Sequence, residues 1–416
     1  MAGVGKLQAP RGTFDVLPED GRRRAKLRAL CEELFEPAGY GFIDTPIFEA
    51  TELFARGVGE TTDIVQKEMF TFEDQGGRSL TLRPENTAGV CRAYLEHGMQ
   101  KLPQPVKLWY WGPFFRHEAP QAGRYRQFNQ VGIEAIGSDD PSLDAETILL
   151  LFELLDRVGA KGVRLRIGSL ATPETRRAYS DELRDYLRTR EGELSDEVRG
   201  RLEANPLRAF DSDHPGTRAV VKDAPKLLER LNEEDAAHFA EVRALLDDAG
   251  RAYEVDPALV RGIDYYTRTV FEFTSDALGA QSGVGGGGRY DGLIEMLGGQ
   301  HTPGVGFAAG IERILLLSQI EAGEASPDVY VVRDGGGTAS AFKVLGALRD
   351  AGFSAQMEQA GRSVKGQFKQ ADRLGARAVV IVGEEGLSVR DMESGDQRDV
   401  PDIERAVAAL KQVVPA

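Results

Sequence analysis

Two stretches, Val106-Lys-Leu-Trp-Tyr-Trp-Gly-Pro-Phe-Phe-Arg116 and Gln127-Phe-Asn-Gln-Val-Gly-Ile-Glu-Ala-Ile136, decide how this chain folds. In the first, Val106, Leu108 and Tyr110 alternate with Lys107, Trp109 and Trp111, the period of two of a β-strand. In the second, Val131, Ile133 and Ala135 take one face, while Gln130 and Glu134 share the other with Phe128 and Ile136. A polar stretch from Glu118 to Arg126 joins the two, so they read as antiparallel strands. An amide and a carboxylate on one face of an apolar strand cost desolvation unless something polar meets them. Two readings stand at this point: a solvated outer face, or the floor of a pocket for a polar or cationic ligand.

Working outward, Leu170 to Gly250 is helical in pattern and heavily charged, as in Asp181-Glu-Leu-Arg-Asp-Tyr-Leu187 and Phe239-Ala-Glu-Val-Arg-Ala-Leu-Leu246. Strand-rich segments lie on both sides of it, which predicts an all-α insertion, about residues 170–250, in a larger α+β domain. The stretch from Ser318 to Pro327 is polar with Gly and Pro punctuation and reads as a linker. Beyond it, Val329–Val332 and Ala378–Val382 are short buried strands and Ala339 to Ala351 reads as a helix. That alternation predicts a small α/β domain with a mostly parallel sheet. The domain boundaries read as 1–325 and 327–416.

The 416 residues carry a formal charge of −15, with 41% hydrophobic and 28% charged residues, an ordinary balance for a folded soluble chain. No run approaches the roughly 20 apolar residues of a membrane span. The N-terminus Met1-Ala-Gly-Val-Gly-Lys6 has no apolar signal region, and Cys31 and Cys91 are too few for a disulfide framework or a four-ligand zinc site. A cytoplasmic protein with no membrane partner is expected. The acidity argues against a polyanion partner, but it is unevenly spread. From Pro327 onward there are 12 Lys and Arg against 13 Asp and Glu, leaving 39 against 53 upstream.

Gly283-Val-Gly-Gly-Gly-Gly288 matches G-x-G-x-x-G literally, yet Arg289-Tyr290-Asp291-Gly292 follows at once in an antiparallel context, unlike a dinucleotide fingerprint. Missing side chains can instead let a flat ligand lie against the backbone. No P-loop motif occurs. Three arginines stand beside such segments: Arg116 at a strand end, Arg261 in Leu259-Val-Arg-Gly-Ile-Asp-Tyr-Tyr266, and Arg313 in the apolar helix onset after Gly304–Gly310. Each alone suits a structural ion pair. Together they suit a triphosphate, because a guanidinium is a permanently charged planar fork of donors.

The chain resembles the histidyl-tRNA synthetases, a class II aminoacyl-tRNA synthetase family, over essentially its whole length. The resemblance runs through Arg11-Gly-Thr-Phe-Asp-Val-Leu-Pro18, Pro46 in the family's motif 1, and Leu80-Thr-Leu-Arg-Pro-Glu-Asn-Thr-Ala88. It continues through the motif 2 segment Phe115 to Phe128 and motif 3, Gly306 to Leu315. Leu259 to Tyr266 and Gly285-Gly-Gly-Gly-Arg-Tyr-Asp-Gly-Leu293 look like the histidine-specific signatures. The resemblance implies an antiparallel class II catalytic domain with a helical insertion, a C-terminal α/β anticodon-binding domain, and a homodimer built partly on motif 1.

It also implies the chemistry: histidine and ATP give histidyl-adenylate and pyrophosphate, and histidine then passes to the 3′ end of tRNA-His. By that analogy Arg116 and Arg261 flank the α-phosphate, Arg313 holds the γ-phosphate and Arg124 lies near the β- and γ-phosphates. Glu118 would accept from the adenine amino group, and Mg²⁺ accompanies ATP, with no dedicated metal cage. Glu85, Thr87 and Gln130 correspond to residues around the α-ammonium. The imidazole would lie between Glu134 and Tyr266, with Tyr265 and Arg261 also in the histidine site. This agrees with the shared face of Gln130 and Glu134, since imidazole needs a partner at both ring nitrogens. His117 reads as structural. Asn86, Ala119 and Asn129 depart from the family pattern; Ala119 leaves Gln121 as the remaining acceptor-stem candidate.

In the terminal domain Arg362, Lys365, Lys369 and Arg373 recur at helical spacing, opposite Val364, Phe368, Ala371 and Leu374. A solvated amphipathic face explains the pattern; a phosphate-contacting stripe becomes plausible only with the resemblance. Two alternatives to the enzyme are a non-catalytic synthetase-like regulatory subunit of ATP phosphoribosyltransferase and a tRNA-sensing module. Retention of Arg116, Arg261 and Arg313 weighs against both.

Overall fold

The computed structural model describes residues 6–59, 62–119, 123–279, 282–323 and 325–414. It divides into two units, Met1–Ala322 and Gly323–Ala416. The strands of the first unit are β1 (Gly41–Phe42), β2 (Phe48–Ala50), β3 (Phe70–Glu73), β4 (Ser79–Leu82), β5 (Val106–Phe115) and β6 (Gln127–Ile136). They continue with β7 (Val163–Ser169), β8 (Glu254–Val255), β9 (Thr267–Ser275), β10 (Gly283–Arg289) and β11 (Gly304–Gly310). Eight form one sheet in the order β1-β5-β6-β11-β10-β9-β7-β8. Its central pairings, from β5 across to β7, are all antiparallel; the outer pairs β1–β5 and β7–β8 are parallel. β2, β4 and β3 make a separate small antiparallel sheet.

The alternation along β5 and β6 sorts side chains onto two buried faces. Trp109, Val131, Ile133 and Ala135 join a core with Leu27, Cys31 and Phe35 of the Pro18–Phe35 helix and Ile148, Leu151 and Leu154 of the Pro141–Arg157 helix. Both helices begin with Pro in the first turn, and Asp140 caps the second by accepting the Ser142 N–H at 2.8 Å. On the opposite face Tyr110, Phe114 and Ile136 pack with Tyr94, Tyr265, Tyr290 and the insertion residues Tyr179 and Leu183. The face that carries Gln130 and Glu134 is therefore covered, which removes the solvated-face reading.

The insertion is helical, with helices Pro173–Arg188, Asp196–Arg201, Pro215–Lys222 and Glu233–Asp248 between β7 and β8. Where it departs, Ala171 (φ +53°) is tied to Arg268 (φ +45°), both non-glycine residues in the left-handed region. The Arg268 N–H donates to the Ala171 carbonyl at 2.9 Å, and the Leu170 N–H donates to the Arg268 carbonyl at 2.7 Å. Such residues cost about 1–3 kcal/mol each and persist where surroundings fix them. Here the Arg268 guanidinium reaches Asp235, at 3.2 Å, and Glu234 on the last insertion helix.

The second unit contains β12 (Val329–Asp334), β13 (Ala355–Met357), β14 (Ala378–Gly383), β15 (Leu387–Asp391) and β16 (Gln397–Val400), in the order β13-β12-β14-β15-β16. β12 runs parallel to β13 and β14, but β14–β15 and β15–β16 are antiparallel. The expected mostly parallel sheet is thus mixed. The links before and after β15 are tight turns, too short for the crossover that a parallel pair requires.

Candidate active site

One cavity of about 320 Å³ opens on the β6-β11-β10 face of the large sheet. Glu85, just before the Thr87–Glu96 helix, starts its construction. Its carboxylate accepts the N–H groups of Thr87 at 2.7 Å and Ala88 at 3.0 Å, a charge set against a helix N-terminus. Burial pushes its pKa up, against the pull of those two donors. The Tyr265 hydroxyl lies 3.4 Å from the same carboxylate. Asn86 has an ordinary φ of −119°, so this turn needs no glycine, and its side-chain oxygen accepts from the Thr45 hydroxyl at 2.6 Å.

Glu134 is fully buried beneath the cavity floor. It accepts from the Tyr290 hydroxyl at 2.6 Å, the Thr87 hydroxyl at 2.8 Å and, more weakly, Tyr110 at 3.4 Å. Burial, with the negative charge of Glu85 adding to it, pushes its pKa up to about 8 despite those donors. Gly306 lines the cavity and stands beside Glu134 across the β6–β11 pair, where a Cβ would overlap the carboxylate. The missing side chain leaves the space that the Glu134 carboxylate fills. Gln130 is on the cavity wall, and its side-chain oxygen is buried without a hydrogen-bond partner. A buried amide oxygen in that state calls for a donor.

Arg116, Arg124, Arg261 and Arg313 all line this cavity, with Glu118 and Tyr266. Arg116, just past β5, donates from Nε to the Pro84 carbonyl at 2.9 Å and lies over the Phe128 ring at 5.5 Å. Arg124 is ion-paired with Glu118. Arg313 donates to the Gly123 carbonyl at 3.0 Å and to the Gly283 carbonyl. Burial, and then the positive charge of Arg124, pull its pKa down. Arg261 pairs with Glu272 at 3.0 Å, and its Nε is buried without a partner. It lies against β10 at Gly286, where a Cβ would stand 3.1 Å from Nη2 and 2.5 Å from the Phe271 carbonyl. The glycine run thus serves close backbone packing and leaves room for an arginine. Such a cavity can bind a polyanion and, a few ångströms away, a small polar molecule with donor groups.

Tyr110, Tyr290 and Glu272 belong to this site but did not stand out in the sequence. Tyr290 lies within the Gly285–Leu293 signature, and Glu272 is a lone charge in the apolar run of β9. Asn129 is structural: its side-chain amide and N–H both donate to Glu312, at 2.9 and 3.0 Å, which pairs with Arg24. His117 is exposed and packs edge-on to Phe70, with ring centroids 5.6 Å apart. Among the described residues no group of three His, Cys, Asp or Glu gathers to hold a metal ion, and no helix is long and apolar enough to cross a membrane.

Of the RNA-binding candidates, Gln121 lies outside the described residues. Lys365, Lys369 and Arg373 are exposed on the Val364–Arg373 helix, while Phe368 and Ala371 pack inward. Arg362 does not share that face. Ser363 caps the helix by accepting the Gly366 N–H, so Arg362 precedes it, and its guanidinium pairs with the buried Glu358 at 3.2 Å.

An antiparallel sheet carrying four arginines over a glycine-lined floor, with a separate α/β unit after it, defines a class II aminoacyl-tRNA synthetase. A family model described as histidyl-tRNA synthetase matches residues 12–314, and one described as an anticodon binding domain matches residues 328–413. The histidine–tRNA ligase of Rubrobacter xylanophilus is 48% identical over 406 residues, covering 94% of this chain and 96% of its own. The crystal structure of the apo histidyl-tRNA synthetase of S. aureus superposes with a TM-score of 0.81 at 38% identity, covering 98% of this chain and all of that one. An ATP phosphoribosyltransferase regulatory subunit/histidyl-tRNA synthetase from Bacillus halodurans has a TM-score of 0.69 at 22% identity over 92% of this chain, a likeness of fold alone. The chain belongs to the histidyl-tRNA synthetase family.

Proposed function

We propose that the cavity carries out both steps of histidine–tRNA ligation, with the four arginines as the phosphate-binding group. The histidine carboxylate attacks the α-phosphorus of ATP, pyrophosphate leaves, and a terminal ribose hydroxyl of tRNA-His then displaces AMP from the adenylate. Arg116 and Arg261 flank the α-phosphate, where charge accumulates on equatorial oxygens and fixed donors are most effective. Arg313 takes the γ-phosphate, Arg124 the β- and γ-phosphates, and Glu118 the adenine amino group. Glu85 and Gln130 receive the α-ammonium, with Thr87 as the link from Glu85 to Glu134. The imidazole lies over Gly306 between Glu134 and Tyr266, with Tyr265 packed behind.

Mg²⁺ enters with ATP as part of the substrate. It prefers phosphate oxygens and water to an all-protein cage, and Glu272, on the cavity wall, is the carboxylate nearest to Arg261 that could approach such a complex. The first unit is catalytic and the second reads the anticodon. We further propose a cytoplasmic homodimer. Phe42, Ile47, Phe48 and Phe72 are 43–51% exposed around β1 and the small sheet, an apolar patch that a second copy would cover.

The observation that carries this reading is the convergence of Arg116, Arg261 and Arg313 on the cavity that holds the unsatisfied oxygen of Gln130. Histidine-dependent ATP–pyrophosphate exchange on the purified protein tests it. Absence of exchange at saturating histidine and Mg-ATP favours the regulatory-subunit reading instead. Exchange without charging of a tRNA-His transcript locates the failure in RNA recognition.

A further inference from the structure

A second cavity of about 210 Å³ lies between the insertion and the catalytic sheet, and Arg261 and Ile263 belong to the walls of both. Arg176, Arg184 and Arg208 complete its cationic lining, with Ser180 and Asn205 as neutral donors. Among the described lining residues, Asp264 is the one acidic side chain. Arg208 is 3.3 Å from Asp264 and 3.2 Å from Asp211, and Arg184 is 2.6 Å from Asp181. Those contacts leave donors over. The Nε of Arg261 is buried with no hydrogen-bond partner, and that of Arg184 has no hydrogen bond and faces Glu203 at 3.8 Å. Arg176 spends one nitrogen on the Tyr266 carbonyl, at the back of the reaction cavity.

Four guanidiniums around one small space, with the buried Nε of Arg261 unmet and a single acidic side chain among the described lining residues, call for an anion with several acceptor oxygens. We propose that the second cavity is a phosphate-binding site, joined to the reaction cavity through Arg261. This rests on the reading of Arg261 as an α-phosphate ligand and deepens it: a phosphate bound behind Arg261 would be sensed in the first cavity. The phosphate has two sources, an RNA phosphodiester near the acceptor end or free pyrophosphate. Arg124 and Arg313 line the first cavity and not the second, so pyrophosphate held by them is not delivered here, which favours RNA.

The test uses the full-length protein with Arg208→Gln and, because that change could disturb Asp264, also Ser180→Glu. The latter sets a carboxylate mid-helix in the Pro173–Arg188 helix and fills the site while leaving every arginine in place. Retention of tRNA on filters, without histidine or ATP, should weaken about three- to tenfold in both variants, and Arg208→Gln should lower the slope of log affinity against log salt by about one. Histidine-dependent exchange in Arg208→Gln should stay within about twofold of the unmodified protein. A rise in KM for pyrophosphate with unchanged tRNA affinity assigns the site to free pyrophosphate. Unchanged tRNA affinity together with unchanged KM for pyrophosphate in Ser180→Glu overturns the site. If the unmodified protein retains tRNA but shows no exchange, the activity reading fails and the cavity is judged by the retention assay alone.

Discussion

The Tyr290 hydroxyl donates to the buried Glu134 carboxylate at 2.6 Å, tying the segment after β10 to the C-terminal end of β6. Tyr290 packs its ring beneath Gly304, where a Cβ would collide with it, so the hydroxyl is held in place by shape as well as by its hydrogen bond. Tyr290→Phe keeps the ring and removes the donor. A charge-assisted or buried hydrogen bond of this kind is worth about 1–3 kcal/mol. The expected outcome is a fall of roughly 5- to 150-fold in kcat/KM for histidine, with KM for ATP nearly unchanged, read from exchange kinetics with each substrate varied.

Glu134 also sets a pH dependence. Its folded pKa, about 8, lies above the ordinary glutamate value of 4.5. Between those values the folded state keeps a proton that the unfolded state has lost. Stability contributed by this group is therefore present in full below about 4.5 and declines as pH rises towards about 8. Glu134→Gln removes the titration while keeping an oxygen to accept from Tyr290. The variant is expected to lose less stability than the unmodified protein on going from pH 5 to pH 8, as measured by urea unfolding across about that range. An identical slope in both proteins would falsify the assignment.

The paired strands β5 and β6, the helical insertion and the terminal α/β unit were legible because apolar period and turn residues set them locally. The arginines could be singled out in the sequence because a fixed charge in an apolar setting needs a partner, and the fold brings them to one cavity. What the sequence concealed depends on long-range packing. Glu134 reads as a face-sharing carboxylate, but only the folded sheet sets Gly306 of β11 beside it and brings to it Tyr110 of β5 and Tyr290 just after β10. Arg362 fits a helical stripe by spacing, and the Ser363 cap that excludes it from the helix has a backbone cause that spacing does not carry. The mixed terminal sheet was misread because alternation alone cannot tell a crossover from a tight turn.

Gly286 offers a test of the arginine arrangement that leaves every charge in place. A Cβ there would stand 3.1 Å from the Arg261 Nη2 and 2.5 Å from the Phe271 carbonyl, so Gly286→Ala must displace one of them. Shifting a positioned catalytic group by about 1 Å can cost on the order of 100-fold. The expected result is a loss of that order in the rate of adenylate formation, measured in a single turnover. Arg261→Lys should lose at least as much, since one ammonium cannot meet both Glu272 and a phosphate as a planar fork does. Activity retained in both variants would remove Arg261 from the reaction.

The terminal unit separates two basic residues that sequence spacing had grouped. Lys369 is exposed on the Val364–Arg373 helix, whereas Arg362 neutralises Glu358, which is fully buried and also accepts from the Tyr330 hydroxyl at 3.0 Å. Lys369→Gln should weaken tRNA binding and reduce its salt slope by about one without moving the unfolding midpoint. Arg362→Gln leaves a buried carboxylate short of its counter-charge. It is expected to destabilise the unit by about 1–3 kcal/mol, the cost of an unmet buried group, with a smaller change in the salt slope than Lys369→Gln. Parallel urea titrations and tRNA retention at two salt concentrations distinguish these roles. Equal salt-slope changes at unaltered stability would return Arg362 to the RNA-facing stripe.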